Sequence, residues 1–269
     1  MIRNNPRKIS LGIALTTILF VTLACGASAN PIPPSPTSEI PTVAVQPTQT
    51  TAPLYLSVTL TSVPHDETGD NPIYTAKAQI PNLQGSDDER VVKFNNEMAG
   101  LTQEEIGRFK DNARMVIVTS GSGSGYDQKF TLLSAPGNIL SIKFDINTYI
   151  SGAAHPNTHT RVVNYDLEGG QDLNLDQLFL PGADYLKTIS TYCIADLKSR
   201  PIDFTVNSAG AEPNSQNYGN WNITPDGLLI TFDEYQVAAY ALGAQLVTVP
   251  YSELKSIIDP NGPIGQYAQ

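Results

Sequence analysis

The proline-rich segment between residues 26 and 53 decides where this chain can fold. It contains seven prolines in 28 residues, much of the remainder is Thr and Ser, and its one charged residue is Glu39. Proline fixes φ and removes a backbone donor, so neither helix nor sheet is compatible with this density. A stiff polyproline-type spacer and a disordered leader both fit the composition. We therefore predict a linker over residues 25–53 and a folded region from residue 54 onward.

The N-terminus has the layout of an export signal. Basic residues within positions 1–8 precede 16 uncharged residues, 9–24. A stable membrane-spanning helix needs about 20 apolar residues, whereas a basic start followed by a short apolar run is typical of a secretory signal peptide. We therefore predict that residues 1–24 are a signal peptide and that the rest of the chain is extracytoplasmic.

The residues that follow the apolar run predict how the protein is retained. Residues 21–25, VTLAC, resemble a bacterial lipobox. The resemblance implies that Cys25 carries lipid, becomes the mature N-terminus and anchors the protein to the membrane. Residues 27–29, ASA, form a competing cleavage site of the A-x-A kind. Cleavage there would instead give a secreted protein without an anchor.

Two segments of the folded region have apolar residues at the spacing of a helix. The first covers residues 87–113, where a capping box at 102–105 predicts a break near Gly100 and a restarted helix. The second covers residues 183–200 and places Cys193 on its apolar face, which predicts a buried, inert thiol. A short helix is expected at residues 252–258.

The remaining apolar runs have the lengths and β-branched content of strands. We predict strands at residues 54–60, 73–80, 115–120, 129–134, 139–150, 160–167, 219–224, 228–232 and 245–249. Residues 207–220, which are rich in Asn, Ser and Gly, are expected to form a loop. Links rich in Gly and Pro favour an antiparallel meander. Runs of strands with segregated helices predict an α+β fold of antiparallel sheets with a few packed helices.

Charge excludes one class of function and favours another. The chain has 16 basic and 26 acidic residues, a net charge of −10, and nonspecific nucleic-acid binding requires a basic surface. A cationic protein partner is favoured instead, because complementary charge speeds encounter. The glycine-rich residues 121–125 fit no phosphate-binding motif and are interpreted as a turn, and no cofactor is predicted.

The histidines are weighed as metal ligands. His155 and His159 form an H-x₃-H pair, with Asp166 or Glu168 as a conceivable third ligand. Pro156 makes this segment a poor helix interior, so the two rings are not expected to share a metal. We predict no metal site and expect loop histidines that hydrogen-bond to backbone.

Aromatic residues are the candidates for ligand contact. Rings line surfaces that bind sugars and proteins, but they also fill cores, and packing is the competing interpretation for each one. The candidates are Tyr149, His155, Trp221, Tyr235 and Tyr240. No catalytic residue is predicted, because G-x-S-x-G is absent and no local signature ties a serine to a histidine. A pair of carboxylates acting on sugar stays open as an alternative.

Two stretches of the folded region resemble known domain families. Residues 221–232, 233–243 and 247–254, with the sequences WNITPDGLLITF, DEYQVAAYALG and VTVPYSEL, resemble the RsiV C-terminal domain family of anti-sigma-V factors. Residues 73–81, IYTAKAQIP, and 151–157, SGAAHPN, resemble the domain in the N-terminal part of PdaC-type peptidoglycan deacetylases. We predict two domains on this basis, at residues 54–159 and 160–260.

The resemblance implies an α+β binding or sensing module that works at the cell wall. In the RsiV family the domain binds lysozyme, and in the PdaC type it accompanies a wall-modifying enzyme. Eight residues before the apolar run are few for a sigma-binding segment, and no deacetylase domain is evident, so we expect neither activity. The sequence therefore predicts a lipid-anchored, non-enzymatic envelope module for a lysozyme-like cationic protein or for peptidoglycan. The alternative is a small wall-acting hydrolase that uses acidic residues.

Overall fold

A computed structural model describes residues 52–116, 123–134, 137–204 and 207–268. The predicted signal peptide, Cys25 and nearly all of the linker lie outside these residues. The described part contains nine strands and three α-helices, which confirms the α+β class. They are β1 Thr59–Asp70, β2 Ile73–Gln84, α1 Glu89–Arg114, β3 Ser124–Ser134, β4 Ile139–Tyr149, β5 Asn157–Asp166, β6 Gln171–Asp172, α2 Tyr185–Ser199, β7 Trp221–Ile223, β8 Gly227–Phe232, β9 Gln245–Pro250 and α3 Tyr251–Leu254.

The larger sheet has the strand order β1-β2-β3-β4-β5-β6. Its neighbours are antiparallel except for β2 and β3, which are parallel, with Tyr74 opposite Ser124. The antiparallel meander predicted for the runs between residues 115 and 167 is confirmed for β3, β4 and β5, whereas the parallel pairing of β2 with β3 was not expected. Parallel neighbours need a long crossover connection, and α1 supplies it by packing on β2 and β3.

Helix α1 is continuous, so the predicted break near Gly100 is wrong. The helix begins where the Asp88 side chain accepts a hydrogen bond from the Arg90 amide, as an N-cap should. Thr102 does not cap a second helix; it is buried, and its hydroxyl donates to the carbonyl of Met98 one turn earlier. The apolar face continues past the glycine, and its packing on the sheet outweighs the local signals.

The structure also corrects several predicted boundaries. Residues 54–56 form a turn of 3₁₀-helix, because Leu54 is buried and its amide donates to the Glu168 side chain, so the first strand begins only at Thr59. The predicted strand 115–120 is wrong at Met115, which ends α1, and residues 117–122 are outside the described part. The last helix ends at Leu254 rather than at residue 258.

Strand β4 contributes to two hydrophobic cores, because successive side chains of a strand point to opposite faces. Leu140, Ile142, Phe144 and Ile146 pack with α1 in the first core, whose other members lie between residues 54 and 167. Ile139 packs on the other side with α2 and the antiparallel sheet β7-β8-β9, in a core drawn from residues 173–264. The predicted domain division at residue 159 stays a prediction.

A network of buried polar side chains joins the two sheets. The Ser141 hydroxyl on β4 donates to Asn164 Oδ1 on β5 at 2.6 Å. It accepts from Asn222 Nδ2 at 3.0 Å and from the Ile223 amide at 2.9 Å, both on β7. Asn164 Nδ2 in turn donates to the Trp221 carbonyl at 2.8 Å. These bonds fix β7 against the back of β4 and β5.

The second predicted helix is confirmed together with its buried face. Ile189, Cys193 and Leu197 are all fully buried on α2. Burial raises the pKa of the Cys193 thiol to about 12. A thiol that stays protonated at neutral pH is a poor nucleophile, so the predicted inert interior cysteine is confirmed.

Replacing Ser141 with Ala should loosen the junction between the sheets. The variant leaves Asn164 Oδ1 and the Ile223 amide without their partner in the interior, and each such group costs about 1–3 kcal/mol. We expect the free energy of unfolding in urea to fall by about 2–4 kcal/mol. Ser252→Ala, which removes an exposed serine hydroxyl, is the control and should change it by less than about 0.5 kcal/mol. An equal effect of both variants would contradict the role assigned to the network.

Candidate functional site

Three of the predicted ligand residues form one stack of rings on the surface. The rings of His155 and Tyr240 lie 4.0 Å apart between centroids, and those of Tyr240 and Tyr235 lie 5.5 Å apart, each pair inclined by 28°. The Tyr240 hydroxyl donates to the Pro156 carbonyl at 2.9 Å. His155 Nδ1 lies 2.8 Å from the same oxygen. We call these three residues the aromatic stack.

The backbone at Tyr235 is held in an unfavourable conformation. Its φ is +68°, a left-handed value that a turn normally gives to Gly or Asn. The turn is closed by the Gln236 amide, which donates to the Asp233 carbonyl at 3.0 Å. Asn207 Nδ2 donates to the Tyr235 carbonyl at 3.1 Å. The result is a ring that is 56% exposed, and strain of this kind concentrates at functional sites.

Two carboxylates attach the turn to the start of β5. Asp233 accepts from the Thr160 amide at 3.0 Å and from Asn220 Nδ2 at 3.1 Å. Glu234 accepts from the Thr158 amide at 3.3 Å. Burial raises the pKa of Asp233, and the hydrogen bonds from Thr160 oppose that shift. The turn that carries Tyr235 is therefore anchored to the larger sheet by bonds from its carboxylates to backbone amides of β5.

A cleft of about 360 Å³ lies between α1 and β5. Asn157 is part of its wall and directly follows Pro156, whose carbonyl contacts both Tyr240 and His155. The cleft therefore reaches the chain segment next to the stack, although its lining does not include the three stack residues. Most of the wall is polar. Its lining residues are Glu105, Arg108, Phe109, Asn112, Tyr126, Thr148, Ile150, Asn157, His159, Thr160, Arg161 and Asn220.

A buried carboxylate surrounded by cations lies in this cleft. Glu105 is only 5% exposed. Arg108 donates to it at 2.9 Å, His159 Nε2 lies 3.3 Å away, and Arg161 lies 3.5 Å away. Burial raises the pKa of Glu105, but the hydrogen bond with His159 and the nearby positive charges outweigh burial, so the pKa lies below its usual range. Glu105 is therefore ionised at neutral pH.

The wall of the cleft combines charged, polar and aromatic side chains. It offers amide and guanidinium groups, one imidazole and the edges of Phe109 and Tyr126. None of the described residues that line it is a serine or a cysteine. Its aliphatic hydroxyl groups belong to Thr148 and Thr160, and His159 Nε2 contacts Glu105. Within the described residues, no group of three His, Cys, Asp or Glu side chains could hold a metal ion.

The other two predicted ligand residues lie apart from the stack. Tyr149 is half-buried on β4, and because Thr148 lines the cleft, strand alternation puts Tyr149 on the opposite face. Trp221 is 5% exposed and borders a second cleft of about 550 Å³, together with Tyr185 and Tyr218. It presents little ring surface to a ligand.

The charged residues of the cleft were missed by sequence reasoning. Glu105 belonged to a presumed capping box, and Arg108 and Arg161 carried no signal. Glu105 and Arg108 lie on α1, and Arg161 lies on β5, more than 50 positions further along the chain. Only the packing of α1 on the larger sheet brings Arg161 to the other two, so no local motif could have shown the cluster.

Comparison with known proteins finds one matching family model and two partial relatives. Residues 176–252 match the family described as "Protein of unknown function (DUF3298)". The peptidoglycan-N-acetylmuramic acid deacetylase PdaC of Bacillus subtilis is 34% identical over 122 residues, which is 44% of this chain and 26% of that protein. A Mycobacterium tuberculosis protein named esterase Rv3036c is 32% identical over 106 residues, 38% of this chain and 45% of that protein.

The chain thus covers about a quarter of the length of PdaC and less than half of the length of the esterase. The expected likeness to PdaC is confirmed over part of the chain, and the likeness to RsiV stays a prediction. Two solved DUF3298 proteins share the fold at 15% identity. One from Bacteroides fragilis has a TM-score of 0.59 over 79% of this chain and 98% of its own, and one from Pseudomonas aeruginosa has 0.55 over 76% and 94%.

The ionised Glu105 should make the free energy of unfolding depend on pH. Because its pKa is lowered in the folded chain, its carboxylate stabilises the fold above the ordinary value of 4.5, and this contribution is lost as the pH falls through the lower, folded-state pKa. We expect Glu105→Gln to reduce the free energy of unfolding at pH 7 by about 1.5–3 kcal/mol, and by less at pH 3. Urea titrations at both pH values measure this.

The neighbouring Glu104 on α1 provides the control. Its side chain is mostly exposed, although it also contacts Arg108 and Arg161. Glu104→Gln should change stability by less than about 1 kcal/mol at either pH. A loss in Glu105→Gln that is the same at pH 3 and pH 7 would contradict the assignment of an ionised, stabilising carboxylate.

Proposed function

We propose that this protein is a binding module of the bacterial envelope that holds peptidoglycan glycan at the aromatic stack and the adjoining cleft, without turning it over. The lipid anchor at Cys25 would keep it extracytoplasmic and near the membrane. The observation that carries the proposal is the exposed, backbone-anchored stack of His155, Tyr240 and Tyr235. Rings with one apolar face and polar groups beside them suit a ligand that has both apolar faces and hydroxyl groups.

The comparisons support the wall as the place of action. The name of PdaC specifies peptidoglycan N-acetylmuramic acid as what that protein acts on, and the two chains are alike over 122 residues. The shared region spans only 26% of PdaC, so the likeness supports a common ligand class rather than a common reaction. Within the described residues, no helix is long and apolar enough to cross a membrane.

A cationic protein such as lysozyme is the weaker candidate for this site. The net charge of −10 would speed the encounter with such a partner. The cleft itself, however, presents Arg108 and Arg161 beside the mostly buried Glu105. Cations on its wall do not complement a cationic surface, so any binding of lysozyme would use another face of the molecule.

Hydrolysis is the alternative function, and His159 with Glu105 is the observation that favours it. A carboxylate that holds one nitrogen of an imidazole can make the ring a base toward water, and the two curated relatives are named a deacetylase and an esterase. Release of acetate or sugar fragments from purified wall, abolished by Glu105→Gln, would establish this function. Binding without release supports the proposed one.

Removing the two tyrosine rings of the stack should weaken glycan binding. Each aromatic contact contributes about 0.5–1.5 kcal/mol, so Tyr235→Ala combined with Tyr240→Ala should reduce the affinity of the full chain for purified, peptide-free glycan strands about tenfold. Calorimetric titration measures it. Tyr55→Ala, which removes an exposed tyrosine far along the chain, is the control and should bind normally. Unchanged binding by the double variant would refute the assignment of the site.

A glycine at residue 235 separates loss of binding from loss of folding. Glycine tolerates φ near +68° without the penalty that tyrosine carries. Tyr235→Gly should therefore keep or raise the melting temperature while it weakens glycan binding. A variant that both binds and melts like the wild type would show that the ring has no part in recognition.

The anchor is tested separately through Cys25. Lipid attached at this thiol is the predicted link to the membrane, so Cys25→Ser should move the protein from the membrane fraction to the medium or block its processing. Fractionation of cells with an antibody against the protein measures it. A mature protein that begins at Asn30 would instead establish cleavage after residues 27–29 and a secreted form.

A further inference from the structure

The charges of the cleft specify more about the ligand than the aromatic stack does. We propose that Arg161 binds a carboxylate on the glycan. The ligand is then an N-acetylated glycan strand whose units carry acidic groups. This inference rests on the proposed glycan-binding function and names the ligand class of the same site. The carboxylate can be borne by the sugar itself or by a peptide attached to it.

Arg108 and Arg161 differ in how far their guanidinium groups are already engaged. Arg108 contacts Glu105 at 2.9 Å and Glu104 at 3.1 Å. The closest contacts of Arg161 with the same two carboxylates are 3.5 and 3.7 Å. Charge-assisted hydrogen bonds are normally about 2.7–2.9 Å long, so Arg161 is held by attraction at a distance rather than by short bonds.

The position of Arg161 makes its donors reachable from the cleft. Its side chain is 40% exposed and belongs to the lining. A guanidinium has five N–H donors in a planar fork that matches a carboxylate in a bidentate manner. Glu104 and Glu105 face its two terminal nitrogens from α1, at distances longer than a charge-assisted hydrogen bond. An acidic group on the ligand would supply the short bonds that these two carboxylates do not.

The spacing of the two contacts requires an extended ligand. Asn157 adjoins the stack, and Arg161 lies four residues further along β5, which at 3.4 Å per residue is about 14 Å. A ligand that lies on the rings and also reaches Arg161 must be longer than one sugar ring. The repeated, extended form of a glycan strand meets this requirement, whereas a single sugar does not.

The acidity of the whole chain does not prevent binding of an anionic strand. At physiological salt, charges more than about 8 Å apart are largely screened, so the net charge of −10 acts weakly on a group inside the cleft. The nearest charges decide there, and they include the guanidinium groups of Arg161 and Arg108, which both line the cleft. A short bidentate contact would therefore persist at salt concentrations that remove long-range steering.

The test combines a change in the protein with a change in the ligand. Peptide-free glycan strands are titrated into the full chain before and after chemical reduction of their carboxyl groups to alcohols. We expect wild type to bind the reduced strands about tenfold more weakly. Arg161→Gln should bind native strands about tenfold more weakly and lose nothing further on reduction, because the two changes remove the same contact. Arg161→Lys should recover only part of the affinity.

Arg114→Gln is the matched control, since Arg114 is an exposed α1 arginine paired with Asp111, and it should respond to reduction as wild type does. Strands that keep their peptides are titrated as well. A loss of affinity in Arg161→Gln for peptide-free strands indicates a carboxylate on the sugar, and a loss only for strands with peptides indicates one on the peptide. Equal binding of native and reduced strands by wild type, with and without their peptides, would overturn this inference and leave the proposed function standing. So would an Arg161→Gln variant that still discriminates. No binding of any strand would overturn both.

Discussion

The hydroxyl of Ser141 is the contact on which the arrangement of the two sheets depends. It accepts two hydrogen bonds from β7 and donates one to Asn164 on β5, in an interior where an unpaired polar group is costly. Ser141 joins β4 to β7 by hydrogen bonds, and Ile139 on the same strand packs in the second core. Because β7 is fixed in this way, the β7–β8 hairpin directs the chain to Asp233, which bonds to the Thr160 amide. The turn that bears Tyr235 thus reaches β5 at a defined place.

The site combines a rigid apolar contact with a flexible charged one. Tyr240 and His155 share the Pro156 carbonyl, and Tyr235 is held at a positive φ that only the surrounding hydrogen bonds maintain. Such a stack needs little reordering when a ligand binds, which favours affinity. Arg161, with its longer contacts, can adjust to an acidic group. Rigidity at one end and adaptability at the other suit a polymer of repeating but variable units.

Local sequence signals predicted the parts of the fold that depend on neighbours along the chain. The period of α2 showed which face of the helix would bury Cys193, and the length and β-branched content of the apolar runs located β4, β8 and β9 within a few residues. The break near Gly100 was wrong because packing against the sheet outweighs a local capping pattern. The parallel pairing of β2 with β3 could not be predicted, since it depends on where α1 crosses and not on either strand.

The candidate site, too, could be predicted from the sequence only in part. Tyr235, Tyr240 and His155 could be proposed from residue type alone, but their stacking joins positions 80 and more residues apart, and Trp221 and Tyr149 were equally plausible by type. The cations around Glu105 come from a helix and a strand that meet only in the folded chain. Residue type therefore suggests ligand contacts, while the fold decides which of them act together.

The most direct test of the glycan-binding account is amide hydrogen exchange of the full chain with and without peptide-free glycan strands. The account predicts slower exchange in two segments, residues 155–161 and residues 233–243, which carry the stack and the open side of the cleft. Residues 172–176 and 215–221, at the second cleft, should exchange at the same rate in both states. Protection confined to the second cleft, or none at all at a saturating concentration of strands, would contradict the account.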